Sequence, residues 1–140
     1  MIRALVAACL VAALCSAAYA KNQTGDDLPD REVEILEKVA RANGLTDYET
    51  RILLAIRATE KGAPGLELGV MDPRARVHKD GFVSLVIQAD WASHTIKHRY
   101  REGGLDNLAA HYCERRFFWR WWVRYFLRKW GKTRNVPKRF

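Results

Sequence analysis

Apolar residues recur at helical spacing along most of the chain from residue 30 to residue 130, interrupted by clusters of glycine and proline. Val33, Leu36, Val39 and Ala40 share one side of a helix that Asp30, following Pro29, can cap and Gly44 can stop. Thr46 with Glu49 three residues on is a capping-box pattern for a second helix, in which Leu53, Ile56 and Glu60 lie on one stripe; Gly62 is its natural stop. A third helix, capped by Asp80, carries Phe82, Leu85, Val86, Ala89, Ala92, Ile96 and Tyr100 on one side and ends at Gly103-Gly104. Asp106 opens a short fourth helix through Tyr112, and a fifth spans roughly 115 to 130. Residues 62 to 81 hold four glycines and two prolines. Leu66, Leu68 and Val70 alternate there, which predicts a loop carrying a short strand or hairpin with its return strand near Arg76 to His78. The expected fold class is mainly α (α+β), a small helical domain with a short β-hairpin or loop as a wall.

The ends of the chain have a different pattern. Arg3, an apolar run from Ala4 to Ala18 and the small-x-small site Ala18-Tyr19-Ala20 read as a secretory signal peptide cleaved after Ala20. The run is short for a membrane span. The expected organisation is a leader over 1–20, a flexible mature start over 21–29, one domain over 30–131 and a basic tail over 132–140. Cleavage would remove Cys9 and Cys15, leaving Cys113 without an internal disulfide partner, so stability must rest on the core. It would also remove Arg3 from the 24 basic residues, leaving 23 against 16 acidic ones, a mature charge of +7. Outside the cytoplasm, in a secreted or periplasmic setting, such a charge suits an anionic membrane or wall-polymer surface; nucleic acid is a poor match to export. A monomer is expected.

Glu60 is the candidate for chemistry. It continues an apolar stripe, so its carboxyl is expected in a partly dry setting that raises its pKa and keeps a proton near neutrality. A general acid that protonates a glycosidic leaving oxygen needs that property. Arg57, one turn back, and Lys61, adjacent, could pair with it and act in the opposite direction.

The stretch Glu60-Lys61-Gly62 followed by Gly65-Leu66-Glu67-Leu68-Gly69-Val70 resembles the Glu-x-Gly and Gly-x-Glu-[Phe/Leu]-Gly-Val of phage and bacterial proteins of the lysozyme-like superfamily, related to goose-type lysozymes and soluble lytic transglycosylases. The resemblance continues through Gln88-Ala89-Asp90-Trp91-Ala92, Thr95-Ile96-Lys97, His111-Tyr112-Cys113 and Trp122-Val123-Arg124-Tyr125-Phe126, covering most of residues 47 to 131. It implies a catalytic glutamate, Glu60, at the end of a helix, with residues 62 to 81 walling a sugar cleft. It also implies cleavage of the MurNAc to GlcNAc bond of peptidoglycan, with no metal and no cofactor. The sequence departs from the soluble transglycosylases in having Lys61 where they usually have serine, and in lacking a Gly-Leu-Met-Gln-like segment. Glu67 is the second catalytic candidate, with Asp72 beside it in the loop. If one glutamate suffices, it serves as acid and then as base, and the product ends in 1,6-anhydromuramic acid. A structural hydrogen bond tying the loop to the core is the competing role for Glu67. Gly69, Val70, Gln88 and Tyr112 are the candidate substrate-binding positions: the glycine for close backbone approach, Gln88 for an N-acetyl group or else an exposed helical glutamine, and Tyr112 for packing of its ring first, with lining the cleft or orienting Glu60 as its functional roles.

His94 and His98 have the spacing of two ligands on one helix face, yet no third ligand accompanies them and a surface role is expected. Arg116, Arg120, Arg124 and Arg128 recur every four residues among many aromatics, and no acidic residue follows Glu114. A core-closing helix with exposed arginines is the expected role, with attraction to wall or membrane as a secondary effect. Two alternatives to catalysis follow: a catalytically silent wall-binding module of the same fold, or a cationic protein acting on membranes through this last helix.

Overall fold

The computed structural model describes residues 27–76, 82–112 and 115–133. Five α-helices account for most of them: α1 (Asp30–Ala42), α2 (Asp47–Glu60), α3 (Val83–Thr95), α4 (Arg101–Tyr112) and α5 (Arg116–Thr133). The protein is mainly α, with no strand among the described residues. The leader, Asp80 as a cap, His78, Cys113 and the tail beyond Thr133 lie outside the described residues.

Helix α2 is the centre of the molecule. Its run Ile52, Leu53, Leu54, Ala55 and Ile56 is buried at every position, as in a helix covered on all sides. Helices α1 and α3 pack against each other and against α2, and α5 packs against α2 and α4. The capping box at Thr46 forms as expected: Glu49 N–H donates to Thr46 Oγ1 at 3.2 Å, and Thr46 N–H donates to Glu49 Oε2 at 2.8 Å. Glu49 is itself buried and receives Arg101 at both oxygens (2.7 and 2.8 Å), which ties the start of α4 to the start of α2. That arginine holds the Glu49 carboxyl down at about 2.

Several expectations shift by a residue or two. Pro29 holds the N-cap position of α1 and Asp30 is its first helical residue, making no side-chain cap. Gly62 does not stop α2. Lys61 does, in the left-handed region at φ 49°, while Gly62 is required for another reason: a Cβ there would stand 1.8 Å from the Leu66 carbonyl oxygen. Residues 27–29, expected within a flexible start, are docked. Leu28 is buried, and Asp27 accepts from Trp130 Nε1 (3.0 Å) and Lys129 Nζ (2.8 Å) of α5. The third helix runs into a π-helical turn, Ile96–Tyr100, before α4, and the break expected at Gly103-Gly104 is present as two non-helical residues.

The strand expected over Leu66, Leu68 and Val70 does not form. Successive tight turns occupy this stretch, with Leu66 N–H donating to Ala63 O (2.8 Å) and Gly69 N–H to Leu66 O (2.9 Å). Gly65 at φ 92° and Gly69 at φ 69° take backbone conformations that an extended ladder excludes. The alternation of apolar residues reflects Leu68 entering the core from a coiled loop, with Val70 packed beside it.

Candidate active site

Helix α2 delivers Glu60 as its last residue, and the turn at Lys61 carries the chain sharply away, so the carboxyl sits at the exposed end of a buried rod. Two elements converge on it. From α5, Trp119 Nε1 donates to Glu60 Oε1 at 2.7 Å. From the loop, Gly69 comes so close that a Cβ built on it would stand 2.8 Å from both Cδ and Oε2 of Glu60. Only a residue without a side chain leaves the carboxyl where it is.

Burial pushes the Glu60 carboxyl above its usual 4.5, and the hydrogen bond from Trp119 offsets part of that rise. Neither cation that could have reversed the shift is engaged with it. Arg57 turns to α1 and the loop, donating to Glu32 at 2.9 and 3.2 Å and to the Glu67 carbonyl at 3.4 Å, and Lys61 is exposed. Because the indole donates to Oε1, the proton of the neutral acid belongs on Oε2, the oxygen beside Gly69. The arrangement can therefore present a proton from a fixed oxygen, and take it back.

Trp119 is held in turn by Tyr112. The two rings stack with centroids 5.0 Å apart and planes 20° from parallel. The Tyr112 hydroxyl is buried without a hydrogen-bond partner among the described residues, and its pKa is raised by burial and then by the negative charge of Glu60. Tyr112 thus belongs to the site through Trp119: it orients the group that orients Glu60.

The other expected site residues hold the loop. Gln88, expected to meet an N-acetyl group, is fully buried and has no polar atom left for a ligand. Its amide nitrogen faces the carbonyls of Gly65 (3.1 Å), Val70 (3.0 Å) and Ala75 (3.2 Å), and its oxygen accepts from Val70 N–H at 3.0 Å. The same bonds engage both backbone polar groups of Val70, so that position does not offer them to a substrate either. Glu67, expected as a catalytic carboxylate, is 5% exposed. One of its oxygens accepts from Gly65 N–H at 3.0 Å and the other from the Ser84 hydroxyl, the contacts of the loop-tying role. Asp72 accepts from Arg74 at 3.1 and 2.9 Å and caps the short 3-10 turn Pro73–Ala75; the hydrogen bonds from that arginine lower its pKa.

Glu60 and Gly69 are therefore brought together as expected, with Tyr112 one ring away, whereas Glu67, Val70 and Gln88 hold the loop together. Trp119 is the site residue that sequence reasoning missed. Its signal was present: Trp119, Val123, Phe126 and Trp130 follow the three-and-four spacing of the buried side of α5. His94 caps nothing catalytic; its Nδ1 lies 2.8 Å from the Asp90 carbonyl, and among the described residues no three metal-ligating side chains gather. Compared with family models, with curated proteins and with solved structures, the chain finds no match.

Proposed function

We propose that the chain is an exported, lysozyme-like enzyme that cleaves the MurNAc to GlcNAc bond of peptidoglycan by the lytic transglycosylase route, with Glu60 as general acid and then general base. The observation that carries this reading is the setting of Glu60: a helix-terminal carboxyl, dried enough to raise its pKa, gripped at one oxygen by Trp119 and bare at the other beside Gly69. In the first step Oε2 would give its proton to the leaving glycosidic oxygen while the substrate's own N-acetyl oxygen attacks the anomeric carbon. In the second, the ionised carboxylate would take the proton of the muramic C6 hydroxyl as that oxygen closes the 1,6-anhydro ring.

The transglycosylase route is preferred to hydrolysis by the inverting route, or by the retaining route with an enzyme nucleophile, because each of those needs a second carboxylate. Glu67 has both oxygens engaged and Asp72 is held by Arg74, which supports a mechanism that asks nothing of either. The test is digestion of purified peptidoglycan by the protein and by Glu60→Gln, with the released fragments read by mass spectrometry. Anhydro-ended fragments whose rate of release falls by about 100-fold or more in the variant are expected. Reducing ends would transfer the protein to the hydrolases, and equal release by both proteins would remove Glu60 from the chemistry.

A further inference from the structure

Helix α5 has a second aromatic surface that the core does not use. At about 100° per residue, Trp119, Val123, Phe126 and Trp130 fall on one narrow stripe, the buried one. Phe117, Phe118, Trp121, Trp122 and Tyr125 fall on an arc of roughly 140° turned away from it. These five are 42% to 64% exposed, and they pack chiefly on one another, Trp121 stacking on Tyr125 at 5.9 Å and meeting Trp122 edge-on at 4.9 Å. Along one flank run Arg120, Arg124 and Arg128, which with Phe117, Trp121 and Tyr125 line a shallow groove of about 360 Å³. The helix contains four arginines, two lysines and no acidic residue. Asp106 meets Arg120 and Arg124, and Asp27 meets Lys129, which offsets part of the charge of this flank and leaves cations in excess of carboxylates along it.

We infer that the outer face of α5 is a docking surface for an anionic phospholipid bilayer, on which the helix lies parallel to the membrane plane. Contiguous exposed apolar surface of this kind marks a binding site, and its chemistry narrows the occupant. A second copy of the chain would bring an equally cationic helix against this one, so like charges oppose self-association. A hydrated wall polymer would satisfy the arginines, but it offers Phe117 and Phe118 no apolar phase. A bilayer surface satisfies both: guanidinium groups reach lipid phosphates, tryptophan and tyrosine settle at the headgroup level, and the phenylalanines enter the acyl boundary. No helix among the described residues is long and apolar enough to cross a membrane, in keeping with peripheral attachment by this face. Trp119 reaches Glu60 from the opposite side of the same helix, so a docked molecule holds Glu60 turned away from the lipid. The inference stands apart from the reaction proposed at Glu60.

Tryptophan fluorescence tests it, because all five tryptophans lie between residues 91 and 130 and none in residues 1–20, so the change between the chain and its α5 variants isolates the contribution of this face from any affinity of residues 1–20 for lipid. The whole chain is mixed with vesicles of phosphatidylglycerol carrying brominated acyl chains, and with brominated phosphatidylcholine vesicles. Quenching by the anionic vesicles is expected, together with an affinity for them lowered about tenfold or more in Phe117→Ser/Phe118→Ser/Tyr125→Ser, which keeps every tryptophan reporter. Circular dichroism establishes that the variant retains its helices, and Arg128→Glu, a single exposed change, is expected to weaken binding in the same direction. Quenching that is absent, or unchanged in folded variants, overturns the proposal. Sedimentation as a dimer that the triple substitution dissociates would assign the face to a second copy, and triple-variant loss of binding to isolated wall polymer with no response to vesicles would assign it to the wall. Failure here leaves the release of fragments by Glu60 untouched, so the two readings stand or fall separately.

Discussion

At the scale of single residues, the site consists of one carboxyl and the groups that fix its surroundings. Gly69→Ala tests the closeness of the loop. The new methyl would stand within 2.8 Å of the Glu60 carboxyl, at a backbone φ of 69° that already disfavours alanine. The strain removes about 1–2 kcal/mol of stability, a modest loss by thermal unfolding. Under the proposed cleavage, displacing Oε2 matters more: peptidoglycan turnover should fall about 100-fold, and a variant that keeps full turnover would show that Gly69 does not border the oxygen that transfers the proton. Glu60 stood out in the sequence through its place on an apolar stripe together with the Glu-x-Gly and Gly-x-Glu-Leu-Gly-Val resemblance around it; the stripe alone suits a solvated glutamate near a helix end better. For Glu67 the sequence offered both the loop-tying role and a catalytic one, and for Gln88 it did not indicate burial, since a carboxylate and an amide can serve a ligand or a backbone equally well and only the path of the loop decides. Trp119, 59 residues from Glu60 in sequence, was invisible as a partner because no local spacing relates the two.

At the scale of elements, two joints hold the loop and the helices in register. Gln88 is the first. In Gln88→Glu the shape persists but the amide donors become an acceptor facing three carbonyls, and about 2–4 kcal/mol of stability should be lost. Amide hydrogen exchange should show the loss concentrated over residues 65–75, with α1 and α2 still protected; uniform loss over all helices would mean that the loop is not a separable unit. The second joint is Glu49 with Arg101. A carboxyl lowered from 4.5 to about 2 in the folded state stabilises the fold above its unfolded pKa, and that stabilisation disappears as pH falls from 4.5 towards 2. Glu49→Gln should therefore be less stable at pH 7 by on the order of 2 kcal/mol, discounted because the Arg101 side chain is nearly half exposed. The gap between the two proteins should close near pH 2, as read by denaturant unfolding, and a gap independent of pH would show that Arg101 is not its source. The helices were readable because capping residues and three-and-four spacing are local properties. The false strand arose from a two-residue alternation that glycines at positive φ produce in coiled backbone as readily as pairing does in a sheet.

At the scale of the whole molecule, α5 joins the two halves of the account. Its buried stripe closes the core and places Trp119 on Glu60, while its outer arc offers aromatics and arginines to the surroundings. In sequence this helix is both aromatic and basic, which predicts a core-closing helix with exposed arginines and attraction to wall or membrane as a secondary effect. The aromatic residues proved too numerous for one side: α2 and α4 cover a single stripe, and five of the rings remain outside. How many rings the neighbours could bury depended on where those neighbours ended, which periodicity alone does not specify.

Everything proposed at the site turns on whether Glu60 keeps its proton above the ordinary carboxylate range. The direct measurement is a carbon-13 NMR titration of the Glu60 side-chain carboxyl in the folded protein, assigned by its loss in Glu60→Gln. A midpoint above 4.5 is expected, rising further when Trp119→Phe removes the hydrogen bond that opposes the effect of burial. A midpoint at or below 4.5 would mean that water or a cation reaches the carboxyl, and that Glu60 is not held as the acid the proposed cleavage requires.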